Sequence, residues 1–196
     1  MNKSQETKKI ILNNALKIAS QSGFSAISIG KLAAETGMSK SGLFSHFGSK
    51  ENLLLSIIEE AKQIFLKNVI IPAQKIENGI NRLYAFFENW INYLQNEEIV
   101  GGCLFYKTTV EVSLENGILK EKLREIMNNW IKFLKNEVKT AIDKKQIQKQ
   151  IEPEKFVFEI ISMIRGAIWF YTFIEEKNAY NLCLTKITEI LNSIRT

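Results

Sequence analysis

Apolar residues recur at spacings of three and four along almost the whole chain, and no stretch sustains the alternation of two that a half-buried strand requires. That periodicity confines the chain to an all-α fold of about nine helices. Only Pro72 and Pro153 can interrupt them, so most breaks must come from glycines and capping residues. With 45% of 196 residues apolar and 10% aromatic, a substantial core can form and disorder does not dominate.

The first helix is expected over about 5–22, with Ile11, Ala15, Ile18 and Ala19 on one face and Gly23 as its stop. Ser28 can cap a short second helix over 29–36, ended by Gly37. Ser39 can cap a third, 40–46, after which Gly48-Ser49 breaks the chain and a fourth helix starts at Lys50. The fourth carries Leu54, Ile57, Ile58, Ala61 and Phe65 inward and is expected to end before Pro72. A fifth is predicted over 74–95, a Gly101-Gly102 break leads to a sixth over 104–112, and Asn116-Gly117 precedes a long seventh over 118–144.

Residues 145–152 read as a polar loop. The eighth helix, about 154–174 with Pro153 in its first turn, is apolar nearly all round and must be buried on several sides. Glu159 and Arg165 interrupt it well short of a membrane span. The ninth, about 179–195, places Tyr180, Leu184, Ile187, Leu191 and Ile194 at alternating steps of four and three, the seam of a helix that packs on another. Helices eight and nine are expected to form the interface of a homodimer.

Charge divides the chain. Residues 1–50 hold Lys3, Lys8, Lys9, Lys17, Lys31, Lys40 and Lys50 against Glu6 and Glu35, whereas the other residues carry equal numbers of basic and acidic side chains. A basic segment joined to a neutral body suits a first part that meets a polyanion; charge alone also fits a solvated basic face. Polar residues at 1–7 lack the apolar stretch of a secretory signal, so the cytoplasm is the expected compartment. There Cys103 and Cys183 would remain thiols, as buried packing residues or, if exposed beside a cation, as sensors.

Helix 29–36, the Gly37-Met38 turn and helix 40–46 make the helix-turn-helix pattern that sets a second helix into the DNA major groove; a generic helical hairpin has the same spacing. The second helix opens with Ser39, Lys40, Ser41 and Gly42, small or basic residues that permit close approach to base edges and phosphates.

The run from Gly23 through Ser28-Ile29, Lys31-Leu32-Ala33-Ala34-Glu35-Thr36-Gly37-Met38-Ser39 and on through His46-Phe47-Gly48-Ser49-Lys50-Glu51-Asn52-Leu53 resembles the TetR family of transcriptional regulators, over about residues 8–55. Gly101-Gly102-Cys103-Leu104-Phe105 resembles a segment of one branch of that family's sensor domains. The resemblance implies a DNA-binding domain over 1–50 and a ligand-binding and dimerisation domain over 51–196. It implies phosphate contacts from Ser28 and Lys50, and it turns Lys40, Ser41 and Gly42 toward the groove, with Lys40 suited to a guanine or a neighbouring phosphate. Leu43 and Phe47 read as core. The family usually has tyrosine where Phe44 stands, so a phenolic hydroxyl is absent; the ring can press on a thymine methyl or the sugar backbone, or pack. His46 reads as a phosphate or backbone contact at the helix end.

For the body, the resemblance implies a small-molecule effector whose binding swings the fourth helix and lowers affinity for a double-stranded operator. Tyr84, Phe87, Trp90, Phe105, Trp130 and Trp169 are candidates to line its pocket, and each is equally suited to ordinary core. Glu111, Arg124 and Arg165 could orient a polar ligand or be solvated or paired. The rival readings are an enzyme and an all-α carrier or adaptor without specific DNA binding. Nothing pairs a nucleophile with a base, and the single histidine cannot build a metal site, so no catalytic residue, cofactor or metal is expected. A carrier has no use for the segregated positive charge.

Overall fold

The computed structural model describes residues 3–96, 103–114 and 116–196; the expected Gly101-Gly102 break lies outside the described residues. The helices are α1 (Lys3–Ser22), α2 (Ile29–Thr36), α3 (Lys40–Phe47), α4 (Lys50–Phe65), a π-turn (Leu66–Ile70), α5 (Ile71–Gln74), α6 (Ile80–Gln95), α7 (Leu104–Glu111), α8 (Ile118–Asp143), α9 (Pro153–Thr172) and α10 (Ala179–Ser193). The described residues contain no strand, only an isolated antiparallel bridge between Ile147 and Arg195. No helix among them is long and apolar enough to cross a membrane.

The chain divides into two compact units, Met1–Ile64 with Glu98–Glu125, and Phe65–Glu97 with Ile126–Thr196. In the first, Ile11, Ala15, Ile18 and Ala19 of α1 are buried with Leu32 and Ala33 of α2, Leu43 and Phe47 of α3, and Leu53, Ile57 and Ile58 of α4. This unit also takes in α7, which packs on α1.

The second unit is built around Phe65. Its ring lies 3.9 Å from that of Trp130 at 22°, and the rings of Trp90 and Tyr93 meet it edge-on at 5.7 and 5.5 Å. Such offset and edge contacts add about 0.5–1.5 kcal/mol each beyond area burial. α10 packs on α6 and α9. Tyr180, Ile187, Leu191 and Ile194 of its seam are therefore buried within the protomer.

Two expected boundaries are corrected. Helical structure continues through Pro72 because the π-turn precedes it: Ile71 N–H reaches back to Leu66 O. That wider turn relieves the clash a proline ring makes with the carbonyl four residues earlier. The Asn89 side-chain amide donates to Val69 O. The fifth expected helix, 74–95, in fact starts at Ile80 as α6: α5 ends at Gln74 and the chain turns through Gly79, whose φ of 107° suits glycine. The buried Glu137 carboxylate accepts from Gly79 N–H at 3.0 Å and pairs with Arg82 Nη1 at 2.9 Å. Gln146 Oε1 accepts from Ile80 N–H at 3.0 Å, so residues beyond α8 and within it close the first turn of α6.

Glu137→Ala takes the anionic partner from a half-buried Arg82 guanidinium, which keeps its bonds to the Ile76 and Gln74 carbonyls, and the acceptor from the Gly79 amide, and is expected to lower unfolding free energy by about 3 kcal/mol. Lys186→Ala, which opens the exposed Lys186–Glu189 pair, should cost less than about 0.5 kcal/mol. Urea denaturation of the two variants checks this, and equal losses would refute the assignment of Glu137 as the anchor of α6.

Candidate nucleic-acid interface

Three serines open three successive helices. Ser28 Oγ accepts from Lys31 N–H at 3.1 Å, Ser39 Oγ from Gly42 N–H at 3.0 Å and Ser49 Oγ from Asn52 N–H at 3.0 Å. Each satisfies one of the amides a helix start leaves unpaired, worth about 1 kcal/mol. Gly37, at φ 66°, ends α2 in the left-handed region, and Met38 N–H closes the turn on Ala33 O at 2.9 Å. Helix, turn and helix thus follow from local chemistry alone.

On α3, Leu43 and Phe47 are buried, while Lys40, Ser41, Phe44 and Ser45 are exposed, positions that share one side of a helix. Phe44, left open between packing and presentation by its sequence, is half exposed. Gly42 is intermediate in exposure; a Cβ there would crowd the Ser39 hydroxyl at 3.1 Å, so glycine preserves the cap. Lys40 lies against α2: a Cβ at Gly30 would stand 3.3 Å from its Cε. The Lys40 ammonium is therefore brought to the start of α2, two residues from Ser28. Neither α2 nor α3 has an acidic residue in its first turn, so both positive helix ends are open to an anion.

Lys50 is exposed at the first position of α4. His46 is placed differently, in a pocket with Lys8, Phe47, Asn52 and Glu59 between α1, α3 and α4. Ser45 also lies on the exposed side of α3, and its Oγ donates to Gly42 O at 2.7 Å. For Glu111, the sequence leaves ligand-orienting, solvated and paired roles open. Its carboxylate is paired: it accepts from the Phe24 and Ser25 amides at 2.6 Å each, partners 86 and 87 residues away that no local pattern identifies.

The six aromatic candidates for an effector pocket do not gather at one place. Trp90 and Trp130 flank Phe65, and Phe87 reaches that cluster through Phe86, at 5.4 Å. Trp90 Nε1 is buried with no hydrogen-bond partner among the described residues. Tyr84 donates to Asn192 Oδ1 with Arg195 over its ring. Phe105 is buried in α7, and Trp169 lies on the exposed side of α9, 5.4 Å from Phe173. Phe158 and Phe173 on that side are 75% and 72% exposed, and Leu182 of α10 is also exposed. Between α9 and α10 runs a groove of about 550 Å³ lined by Met163, Gly166, Phe170, Ile174, Leu182 and Cys183. Burial pushes the Cys183 thiol up to about 11, which keeps it protonated and unreactive at neutral pH.

Residues 79–187 match the family of tetracyclin repressor-like C-terminal domains, and residues 11–57 match the bacterial regulatory proteins of the tetR family. The chain belongs to the TetR family. A 54-residue stretch, 28% of the chain, is 41% identical to YerO, an uncharacterized HTH-type transcriptional regulator of Bacillus subtilis (strain 168), and spans only 19% of that protein. The fold is that of a TetR transcriptional regulator from Chloroflexus aurantiacus J-10-FL, with a TM-score of 0.90 at 24% identity over 100% of this chain and 99% of that one. It is also that of AibR in complex with isovaleryl coenzyme A and operator DNA, with a TM-score of 0.74 at 20% identity over 96% and 98% of the two chains.

Because Phe44 is exposed and Leu43 buried, Phe44→Ala should change the unfolding free energy by less than about 0.5 kcal/mol, whereas Leu43→Ala should cost about 3 kcal/mol. Comparable losses in thermal or urea unfolding would mean that the Phe44 ring is structural.

Proposed function

We propose that this TetR-family regulator is a repressor that binds a palindromic DNA operator as a homodimer and is released by a small-molecule effector. The observation that carries the reading is the exposed first turn of α3. Ser41 stands exposed and Lys40 lies along the start of α2 on a helix whose Leu43 and Phe47 are locked into the core, an arrangement that offers a short side chain and a cation to DNA while the scaffold stays fixed. Ser28 and Lys50 would grip phosphates on either side, Phe44 would press on a thymine methyl or a sugar, and Ser39 and Gly42 would hold the approach open. DNA reading is assigned to residues 1–50 and effector binding and dimerisation to 51–196; such a protein acts in the cytoplasm, where its operator is.

Effector binding is assigned to the second unit, near Phe87, Trp90 and Trp130. A buried Trp90 Nε1 without a partner costs about 1–3 kcal/mol, and a ligand oxygen or nitrogen there would recover it. AibR, bound to an acyl-coenzyme A and to operator DNA, is a relative by fold that supports the pairing of the two ligands.

Dimerisation is assigned to the outer face of α9 with α10, through Phe158, Trp169, Phe173 and Leu182. Trp169 and Phe173 stack with Phe170 beside them, and exposed apolar side chains of this size mark protein interfaces. The α10 seam is set aside for the contact surface, since Leu191 is buried within the protomer.

Selection of bound duplexes from random DNA, followed by footprinting, is expected to yield a palindrome; recovery of no sequence would favour a helical carrier with a basic head. Against the selected duplex, Lys50→Ala should weaken binding and cut the salt slope by about one, and an unchanged slope would remove Lys50 from the phosphate contacts. Phe173→Glu should convert the dimer to a folded monomer with weaker operator binding. A Phe173→Glu protein that sediments as a dimer would place the interface elsewhere.

A further inference from the structure

The corner between α1 and α2 is held from outside by α7. Gly23, at φ 81°, ends α1 and turns the next two amides outward, and the Glu111 carboxylate takes both, one oxygen on Phe24 N–H and the other on Ser25 N–H, at 2.6 Å each. Two consecutive amides on one carboxylate make a small anion nest with charge-assisted bonds. Gly23 is also the only residue type the contact admits, because a Cβ there would stand 2.7 Å from Glu111 Oε2. One helical turn earlier on α7, Lys107 donates to Gln21 O, a carbonyl at the C-terminal end of α1. The two loop amides suit an anion, and the carbonyl at the C-terminal end of α1 suits a cation. Burial pushes the Lys107 ammonium below its ordinary value, so the group is held in the contact at some desolvation cost.

From this corner the chain reaches the DNA-facing residues in a few steps. Ile27 N–H bonds back to Phe24 O at 3.0 Å, Phe24 and Ile27 are buried, and Ser28 follows as the cap of α2, with the Lys40 stem against Gly30. A displacement of α7 would therefore be delivered to the start of α2 without a flexible segment between.

We infer that Glu111, assisted by Lys107, is a positioning residue for operator recognition, a latch through which α7 sets the angle at which α2 and α3 are presented to DNA. The inference rests on the DNA-binding reading above.

The test uses the full-length protein, the duplex recovered by selection and a random duplex of equal length. Glu111→Ala is expected to lower affinity for the selected duplex about 10-fold, within the range of coupling contacts, while affinity for random duplex does not fall, since the change adds positive charge and nonspecific binding is electrostatic. Glu111→Gln, which keeps one acceptor oxygen, should give a smaller loss and guards against an unfolded alanine variant. Hydrogen exchange at the Phe24 and Ser25 amides should accelerate in Glu111→Ala. Equal loss on both duplexes, as a shrinking folded fraction would give, overturns the inference, as do unchanged affinity or unchanged exchange. A wild-type protein that selects no sequence overturns the DNA-binding reading itself, and the latch role with it.

Discussion

Every helix leaves amides at one end and carbonyls at the other without partners inside the helix, and satisfying them across the molecule is the constraint on which this fold depends. Short helices solve it locally, with Ser28, Ser39 and Ser49 each folding back on the helix it opens. Elsewhere a distant helix supplies the partner. Lys107 of α7 takes the Gln21 carbonyl at the end of α1 while Glu111 takes the two loop amides that follow, and Glu137 of α8 with Gln146 beyond it serves the first turn of α6. Lys144 adds bonds to Asn78 and an ion pair with Glu77. These remote caps are specific in a way that apolar packing is not, because a carboxylate meets two amides only at one register.

Local capping and distant capping differ in how far a sequence discloses them. Ser28, Gly37, Ser39 and Gly48 announce α2 and α3 through residue types suited to those positions, so the boundaries of these two helices and the inward turn of Leu43 and Phe47 were readable. The end of α4 was not. Pro72 argues for a stop, and only a widened turn with an amide donor from Asn89 lets the helix pass it. The break at Gly79 was hidden for the same reason, since its partners lie 58 and more residues away.

The apolar helices near the C-terminus show a second limit. Periodicity identifies the apolar faces of α9 and α10 without saying which face meets which surface. The alternating seam of α10 serves the protomer's own α6 and α9. The aromatic residues left outside, Phe158, Trp169 and Phe173, come from a helix that reads as apolar nearly all round. Likewise the aromatic side chains share one composition but serve different places: Trp90 and Trp130 around Phe65, Tyr84 beside Arg195, Trp169 outside.

The π-turn after α4 has a consequence for the phase of that helical rod. An α-helix advances about 100° per residue, so a turn closed over five residues in place of four behaves as a one-residue insertion and shifts the phase of Ile71–Gln74 relative to Phe65 by about that angle. Phe65, Val69 and Ala73 are buried at steps of four, and Ile70 is buried beside Val69, so the inward stripe broadens at the turn. Loss of one residue between Leu66 and Ile70 would return the rod to α-helical register. It would also roll Pro72 and Ala73 away from the surface they now occupy, so the length of this segment, as much as its composition, is set by what it packs against.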